Sequence, residues 1–207
     1  MSKRSEQRPT VVLFAAKQVG EAESRWGWVE PCVWTERMLT ALDNRAKGCQ
    51  WFSLIDKVYR ELNLFVAFGK VAANGGAAGV DHVSTKRFEQ RLIPNLKTLA
   101  EQLRTGRYRP QTIRRQWIPK PGSDGQRPLG SPTVRDRVVQ TALRNVLEPI
   151  FERDFAEGSY GFRPGRGCQD ALRHVDELLK SGYGYVVDAD LKSYFDMIPH
   201  DRLMEHL

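Results

Sequence analysis

Three carboxylates follow an apolar run late in the chain, in Val186-Val187-Asp188-Ala189-Asp190-Leu191-Lys192-Ser193-Tyr194-Phe195-Asp196. A carboxylate at the end of a buried strand can hold a divalent cation. Asp188 and Asp190, two apart on a strand, point to the same face. Phosphoryl transfer by two metals needs carboxylates that hold two ions about 3.5–4 Å apart, which this segment does not supply alone. The competing reading is capping, with Asp190 or Asp196 bonding free backbone N–H groups where a helix begins.

Basic residues that suit the same chemistry lie upstream. Arg107, Arg109, Arg114, Arg115, Lys120, Arg127, Arg135 and Arg137 are opposed between them only by Asp124 and Asp136. Arginine grips phosphate bidentately and lysine acts as a point charge. Tyr108 and Trp117 are interleaved with these cations, an arrangement that allows stacking on bases. A solvated basic edge strand that blocks aggregation has the same composition. The loop Gly161-Phe162-Arg163-Pro164-Gly165-Arg166-Gly167 sets two arginines among three glycines, so backbone can approach a nucleotide or strand closely. It lacks P-loop spacing, and a turn whose glycines need positive φ explains it equally.

Other reactive residues carry little. His82, His174, His200 and His206 show no metal-ligand spacing. Cys32, Cys49 and Cys168 form no CxxC, which argues against structural zinc and suits reduced thiols. Lysine and arginine total 32 against 25 acidic residues, a net +7 with pI near 9.5. That balance points to a polyanionic partner, nucleic acid before membrane. The apolar run Val11–Ala16 is shorter than a signal-peptide core, and no stretch approaches the roughly 20 apolar residues of a membrane span. A cytoplasmic protein is expected.

The elements that must position these groups are mostly helical. Residues 1–28 lack periodicity and read as a loose arm. From Pro31, Val33, Met38, Leu39 and Leu42 share a helix face. A longer helix directs Phe52, Ile55, Tyr59, Leu62 and Val66 inward and stops near Asn74-Gly75-Gly76. Ser84 caps a third helix with Phe88, Leu92, Leu96, Leu99 and Leu103 inward, kinked or broken by Pro94 and stopped by Gly106. Thr112–Pro119 and Gln126–Gly130 flank the turn Pro121–Gly125, a β-hairpin pattern. Thr133 opens a helix burying Val134, Val138, Leu143, Val146 and Leu147. Residues 168–180 form another, with Ala171, Leu172, Val175 and Leu178 buried. Gly182 and Gly184 introduce a strand, Tyr185–Asp190, and Pro199 with Asp201 begins a last helix.

The order of the motifs is more specific than any one of them. Arg115-Gln116-Trp117-Ile118-Pro119-Lys120 precedes Arg127-Pro128-Leu129-Gly130-Ser131-Pro132-Thr133-Val134-Arg135-Asp136-Arg137-Val138-Val139-Gln140. Ser159–Gly167 and Asp188–Asp196 follow. This series strongly resembles the reverse transcriptases encoded by bacterial group II introns, the intron maturases. Trp34–Leu39 and Gly75–Asp81 resemble that family's N-terminal extension.

The resemblance implies an α+β right-hand polymerase architecture. Residues 29–106 would be the helical N-terminal extension and the start of the fingers, 107–150 the fingers with the basic hairpin, and 151–207 the start of an incomplete palm. Lys120 and Arg127 match residues that grip the incoming triphosphate, with Arg163 also assigned to the nucleotide. Arg114, Arg115 and Arg166 would contact RNA. Asp190 matches the first catalytic aspartate; its place directly before Leu191 and five residues before the aromatic selects it over Asp188. Its carboxylate and the Leu191 carbonyl would bind Mg2+. Phe195 matches the aromatic that excludes a 2′-hydroxyl, and Asn74–Asp81 a loop over the template–primer junction. Intron RNA template, DNA primer and deoxynucleoside triphosphates are the implied partners.

The sequence departs from the family in two ways. It contains no Asp-Asp pair, so the aromatic–x–Asp–Asp turn that completes the metal site is missing from it, and Ser131 replaces a usual aliphatic residue. The expectation is a truncated chain, inactive alone. The rivals are a non-catalytic RNA-binding module and a decayed fragment, and completion of the palm by a second copy or another chain is left open.

Overall fold

The computed structural model describes residues 25–44, 54–122, 124–191 and 194–205. Most of the arm, Cys49, Phe52, Lys192, Ser193 and His206 lie outside the described residues, as does the side chain of Asp196. The described residues form helices and one two-stranded antiparallel sheet. They fall into two compact units, Met1–Phe155 and Ala156–Leu207.

The first unit is built around α6 (Val134–Glu152), with α3 (Glu61–Asn74) packed along it. Around this pair lie α1 (Glu36–Asp43), α2 (Leu54–Val58), α4 (Thr85–Glu89) and α5 (Leu92–Arg104). Leu64, Ala67, Phe68 and Val71 of α3 are buried in one core with Val134, Val138, Ala142 and Val146 of α6. Trp26, Val29, Val33 and Trp34 close the same core from the chain's start. Trp26, read from sequence as part of a loose arm, is therefore a core residue.

Both long helices expected from periodicity are broken in two. The first breaks at Tyr59-Arg60, between α2 and α3, and the second at Gln90-Arg91, between α4 and α5. Each break leaves carbonyls at a helix end without intrahelical donors. An asparagine in the first turn of the following helix supplies one. Asn63 Nδ2 donates to the Lys57 carbonyl at 2.9 Å, and Asn95 Nδ2 donates to the Phe88 carbonyl at 2.9 Å. Pro94 falls in the first turn of α5, where its missing N–H costs nothing. The break also rotates the apolar face: Ile55 and Leu62 are exposed, while Asn63 is buried.

Asn63 also links helices. Its amide donates to the Ala142 carbonyl at 3.1 Å and accepts from Asn145 Nδ2 at 2.9 Å. Lys70 Nζ donates to Asn145 Oδ1 at 2.9 Å and pairs with Glu30 at 2.6 Å. Pro149 sits inside α6 and cannot donate to the carbonyl four residues before it, that of Asn145. The Trp34 indole N–H takes that place, donating to the Asn145 carbonyl at 3.2 Å in a buried setting.

Two loop signals legible in sequence are formed as expected. Ser84 accepts from the Arg87 N–H at 3.2 Å, and α3 stops at Gly75 and Gly76, with φ of 65° and 99°. The glycine loop after α3 lies close against the start of α6. A Cβ at Gly79 would meet the Thr133 backbone at 2.7 Å. Arg137 holds the loop by donating to the Gly75 and Ala77 carbonyls, both at 2.9 Å.

In the second unit α7 (Cys168–Lys180) is followed by a 3-10 turn (Tyr194–Met197) and α8 (His200–Glu205). Leu172, Val175 and Leu178, expected inside, are exposed. An amphipathic stripe is buried only against a second layer, and the unit's other described helical elements are short. Residues 185–190 form no strand, contrary to expectation. A strand is held by its ladder, and no described residue pairs with this segment; Val187 is 91% exposed.

Candidate nucleic-acid interface

The hairpin consists of β1 (Arg114–Pro119) and β2 (Gln126–Ser131), paired from Arg114↔Ser131 to Pro119↔Gln126. The Pro121–Gly125 turn closes it, with the Lys120 N–H donating to the Gly125 carbonyl at 2.9 Å. Ile118 lies opposite Arg127. Side chains alternate in direction along each strand, so Arg114, Lys120 and Arg127 belong to one face. Arg115 and Trp117 belong to the other. All five are exposed.

Four of the eight cations grouped with the hairpin from sequence turn out to be internal fastenings or bonded to nearby loop atoms. Arg137 clamps the glycine loop. Arg135 donates to Gln102 Oε1 at 2.8 Å and stacks its guanidinium over the Tyr108 ring, 4.9 Å from the centroid. Arg107 bonds Thr105 Oγ1 at 3.0 Å, and Arg109 donates to the Gly106 carbonyl at 3.0 Å. Arg114, Arg115, Lys120 and Arg127 remain directed to solvent.

Tyr108 is likewise not a stacking residue. It is half-buried and its hydroxyl donates to Asp136 Oδ1 at 2.7 Å. Asp136 is buried, and its Oδ2 accepts from Thr133 Oγ1 at 2.7 Å and from the Gln111 N–H at 3.1 Å. The segment entering β1 and the residue opening α6 after β2 are thus fastened to one carboxylate. Sequence reasoning counted Asp136 only as an opposing charge; its place three residues after Thr133 was the signal of a capping residue.

Burial, and then the hydrogen bond to Asp136, push the Tyr108 hydroxyl well above the usual tyrosine value of 10.0. A group whose folded pKa is raised stabilises the fold fully below its unfolded pKa, and that contribution is lost as pH rises above it. The expected outcome is a denaturation midpoint that falls as pH climbs beyond about 10. Tyr108→Phe should remove much of that fall. Tyr59, bonded to Asp56 at 2.8 Å, is raised too and contributes to it. Denaturant unfolding at a series of alkaline pH values checks this.

In the second unit, both arginines of the glycine–arginine loop bond backbone carbonyls of the segment just before it. Arg163 is buried and donates to the Ala156 carbonyl at 2.7 Å and the Ser159 carbonyl at 2.9 Å. Arg166 donates to the Glu157 carbonyl and lies over the Tyr160 ring, 5.6 Å from its centroid. Between them Phe162 adopts a left-handed backbone, φ 57°, with its ring fully in solvent. Asp188, Asp190, Leu191 and Phe195 are exposed. The Phe195 ring meets Tyr194 edge-on, with centroids 5.4 Å apart. Among the described residues no group of three or more histidines, cysteines or acids is gathered as for a metal. Nor is any helix among them long and apolar enough to cross a membrane. Lys120 and Arg127 stand in the first unit, and Asp190, Arg163 and Phe195 in the second.

Residues 118–207 match the family model of the reverse transcriptase (RNA-dependent DNA polymerase). The matched stretch takes in the end of β1, Lys120, all of β2 and the aspartate segment, while Arg114–Trp117 precede it. Its relatives narrow the kind: the chain is similar to group II intron-encoded proteins and intron maturases. It is 37% identical over 142 residues to the Group II intron-encoded protein LtrA of Lactococcus lactis subsp. cremoris, covering 68% of this chain and 23% of that protein. It is 44% identical over 132 residues to Protein YkfC of Escherichia coli (strain K12), covering 61% of this chain and 34% of that protein. An uncharacterized 91 kDa protein in the cob intron of Schizosaccharomyces pombe is 32% identical over 178 residues, 82% of this chain and 22% of its own. The chain thus spans about a third or less of the length of these relatives.

Proposed function

We propose that this chain supplies the fingers, helical N-terminal extension and first part of the palm of an RNA-directed DNA polymerase of the group II intron maturase kind. Its ligands are intron RNA template, DNA primer and deoxynucleoside triphosphates. The observation that carries the reading is the hairpin register. It sets Arg127 opposite Ile118, two residues from Lys120, so that both cations serve one exposed face. Two positive groups so placed suit a triphosphate, with arginine bidentate and lysine a mobile point charge.

Asp190 and Phe195 take the roles of first catalytic aspartate and sugar-sensing aromatic, Arg163 and Arg166 support the nucleotide and RNA, and Arg114 and Arg115 bind RNA. Magnesium suits the donors on hand: the Asp190 carboxylate and Leu191 carbonyl are oxygen ligands in an exposed segment. This cation is held by one or two carboxylates together with substrate phosphates. When bound it would supply charge neutralisation at the triphosphate. The residues of the chain grip and orient the nucleotide, which is where most of the rate advantage in phosphoryl transfer arises. The cytoplasm is the proposed location.

The 207-residue polypeptide alone is expected to bind structured RNA without extending a primer, since its sequence contains one such aspartate segment and no Asp-Asp pair. RNA affinity should fall steeply with salt, by a log–log slope of about 0.7–0.9 per phosphate contact. Charge reversal of both Arg114 and Arg115 should weaken it more than about tenfold, and Asp190→Asn should leave it unchanged. Electrophoretic mobility shifts and a primer-extension assay on an RNA template decide the matter. Extension that depends on magnesium and is abolished by Asp190→Asn would show that the polypeptide is active alone. Salt-independent binding, or binding indifferent to the charge reversal, would remove the hairpin from the interface.

A further inference from the structure

The two faces of the hairpin differ in chemistry. One carries Arg114, Lys120 and Arg127. The other carries Arg115, Trp117 and Pro119 on its first strand, opposite Gly130, Pro128 and Gln126. Trp117 is 55% exposed, although Trp26 and Trp34 are buried and Trp28 packs against the core. Its partner across the ladder is Pro128. A large aromatic ring left in water beside a guanidinium suits a ligand with both a π-face and a negative charge. Arg114, Arg115, Lys120 and Arg127 form no ion pair among the described residues, so the charge of the hairpin is uncompensated and fits a polyanion. A protein partner would use the ring without needing four free cations, and a membrane surface would use the cations without needing a stacking ring.

We propose that Trp117, with Arg115 beside it, is a stacking platform for an unpaired base of a single-stranded nucleic acid. Phosphates are gripped on the face bearing Arg114, Lys120 and Arg127, and a base is held on the opposite face. The hairpin is therefore grasped from both sides by its ligands. This rests on the reading of the hairpin as a nucleic-acid element and adds the residue that senses an unstacked base. Stacking needs an exposed π-face, so the platform distinguishes single strands from duplexes. It tolerates any sequence, because every base has a π-face.

The test measures binding of the 207-residue chain by fluorescence anisotropy over a range of salt. The probes are a labelled mixed-sequence single-stranded RNA, an abasic ribose-phosphate chain of equal length, and an RNA duplex. Trp117→Ala is expected to weaken the single strand about tenfold, in line with the loss of one base–aromatic stack. The loss should be equal at every salt concentration, with the salt slope unchanged. Affinity for the abasic chain and the duplex should stay at the wild-type value, and Trp117→Phe should retain most of the single-strand affinity. Arg114→Ala, in contrast, should lower the slope by about 0.7 on single strands. No loss with Trp117→Ala, or an equal loss on the abasic chain, overturns the platform while leaving the basic hairpin in place. Failure of the wild-type chain to bind any probe in a salt-dependent way overturns the underlying reading, and the platform with it.

Discussion

Asp136→Ala is expected to lower the unfolding free energy by about 4 kcal/mol, a large share of the 5–15 kcal/mol typical of a domain. The substitution removes the acceptor of three donors: the buried Thr133 hydroxyl and, in part-buried bonds, the Tyr108 hydroxyl and the Gln111 N–H. Each unsatisfied buried group costs about 1–3 kcal/mol. It also removes a negative charge from the first turn of α6, where the helix dipole favours one. Asp136→Asn separates these causes. An amide can still accept from Thr133 and Gln111 through its oxygen, and the Tyr108 hydroxyl can turn to accept from its nitrogen. The asparagine variant should therefore lose about half as much or less. Chemical denaturation of the two variants decides it; equal losses would show that the charge, not the bonding pattern, stabilises the fold.

The second large effect is expected at Trp34. Trp34→Ala should cost about 3–5 kcal/mol through the cavity it leaves in the core. Trp34→Phe is more informative, because it fills much of the same space and removes the N–H that serves Asn145. The orphaned carbonyl should add about 1–3 kcal/mol to the cost of the smaller ring. That addition exists only because Pro149 cannot donate to Asn145. Pro149→Ala restores a backbone donor in α6, so Trp34→Phe should cost less in that background. A double-mutant cycle measured by denaturation gives the coupling directly. Strict additivity would mean that the indole bond contributes nothing beyond its ring.

Much of the local structure was legible because its causes are local. Pro121-Gly122 and Asp124-Gly125 define a turn, Ser84 and Thr133 announce helix starts, and Gly75-Gly76 announces a stop. All four features are present. What was not legible depends on contacts distant in sequence. Periodicity alone joins α2 to α3 and places Ile55 and Leu62 inside. The break is stable because Asn63 finds the Ala142 carbonyl 79 residues away, and no window of sequence contains both. The stripe on α7 and the apolar segment 185–190 show the converse: the pattern is present, but neither a second layer nor a pairing strand covers it among the described residues.

The candidate site was legible to a different degree in each part. Arg114, Arg115, Lys120, Arg127 and Trp117 could be named from the hairpin pattern, and the structure leaves all five at the surface. Arg135, Arg137 and Tyr108 have the same composition but serve the interior, because the two arginines lie in the first turns of α6 and Tyr108 in the segment entering β1, none of them on the ladder. Only the partners of a cation decide whether it is available to a ligand, and those partners, Gln102 and the Gly75 carbonyl, are distant in sequence.

The Asp136 clasp has a consequence for how this surface can vary. It ties both ends of the hairpin at its base, so the separation of the strands there is set before the turn is reached. Residues added at Pro121–Gly125 would extend the tip without altering that spacing. Each doubling of loop length costs only about 0.6 kcal/mol. The reach of the cationic tip can therefore be lengthened or shortened through evolution or design while the helical body beneath it stays the same.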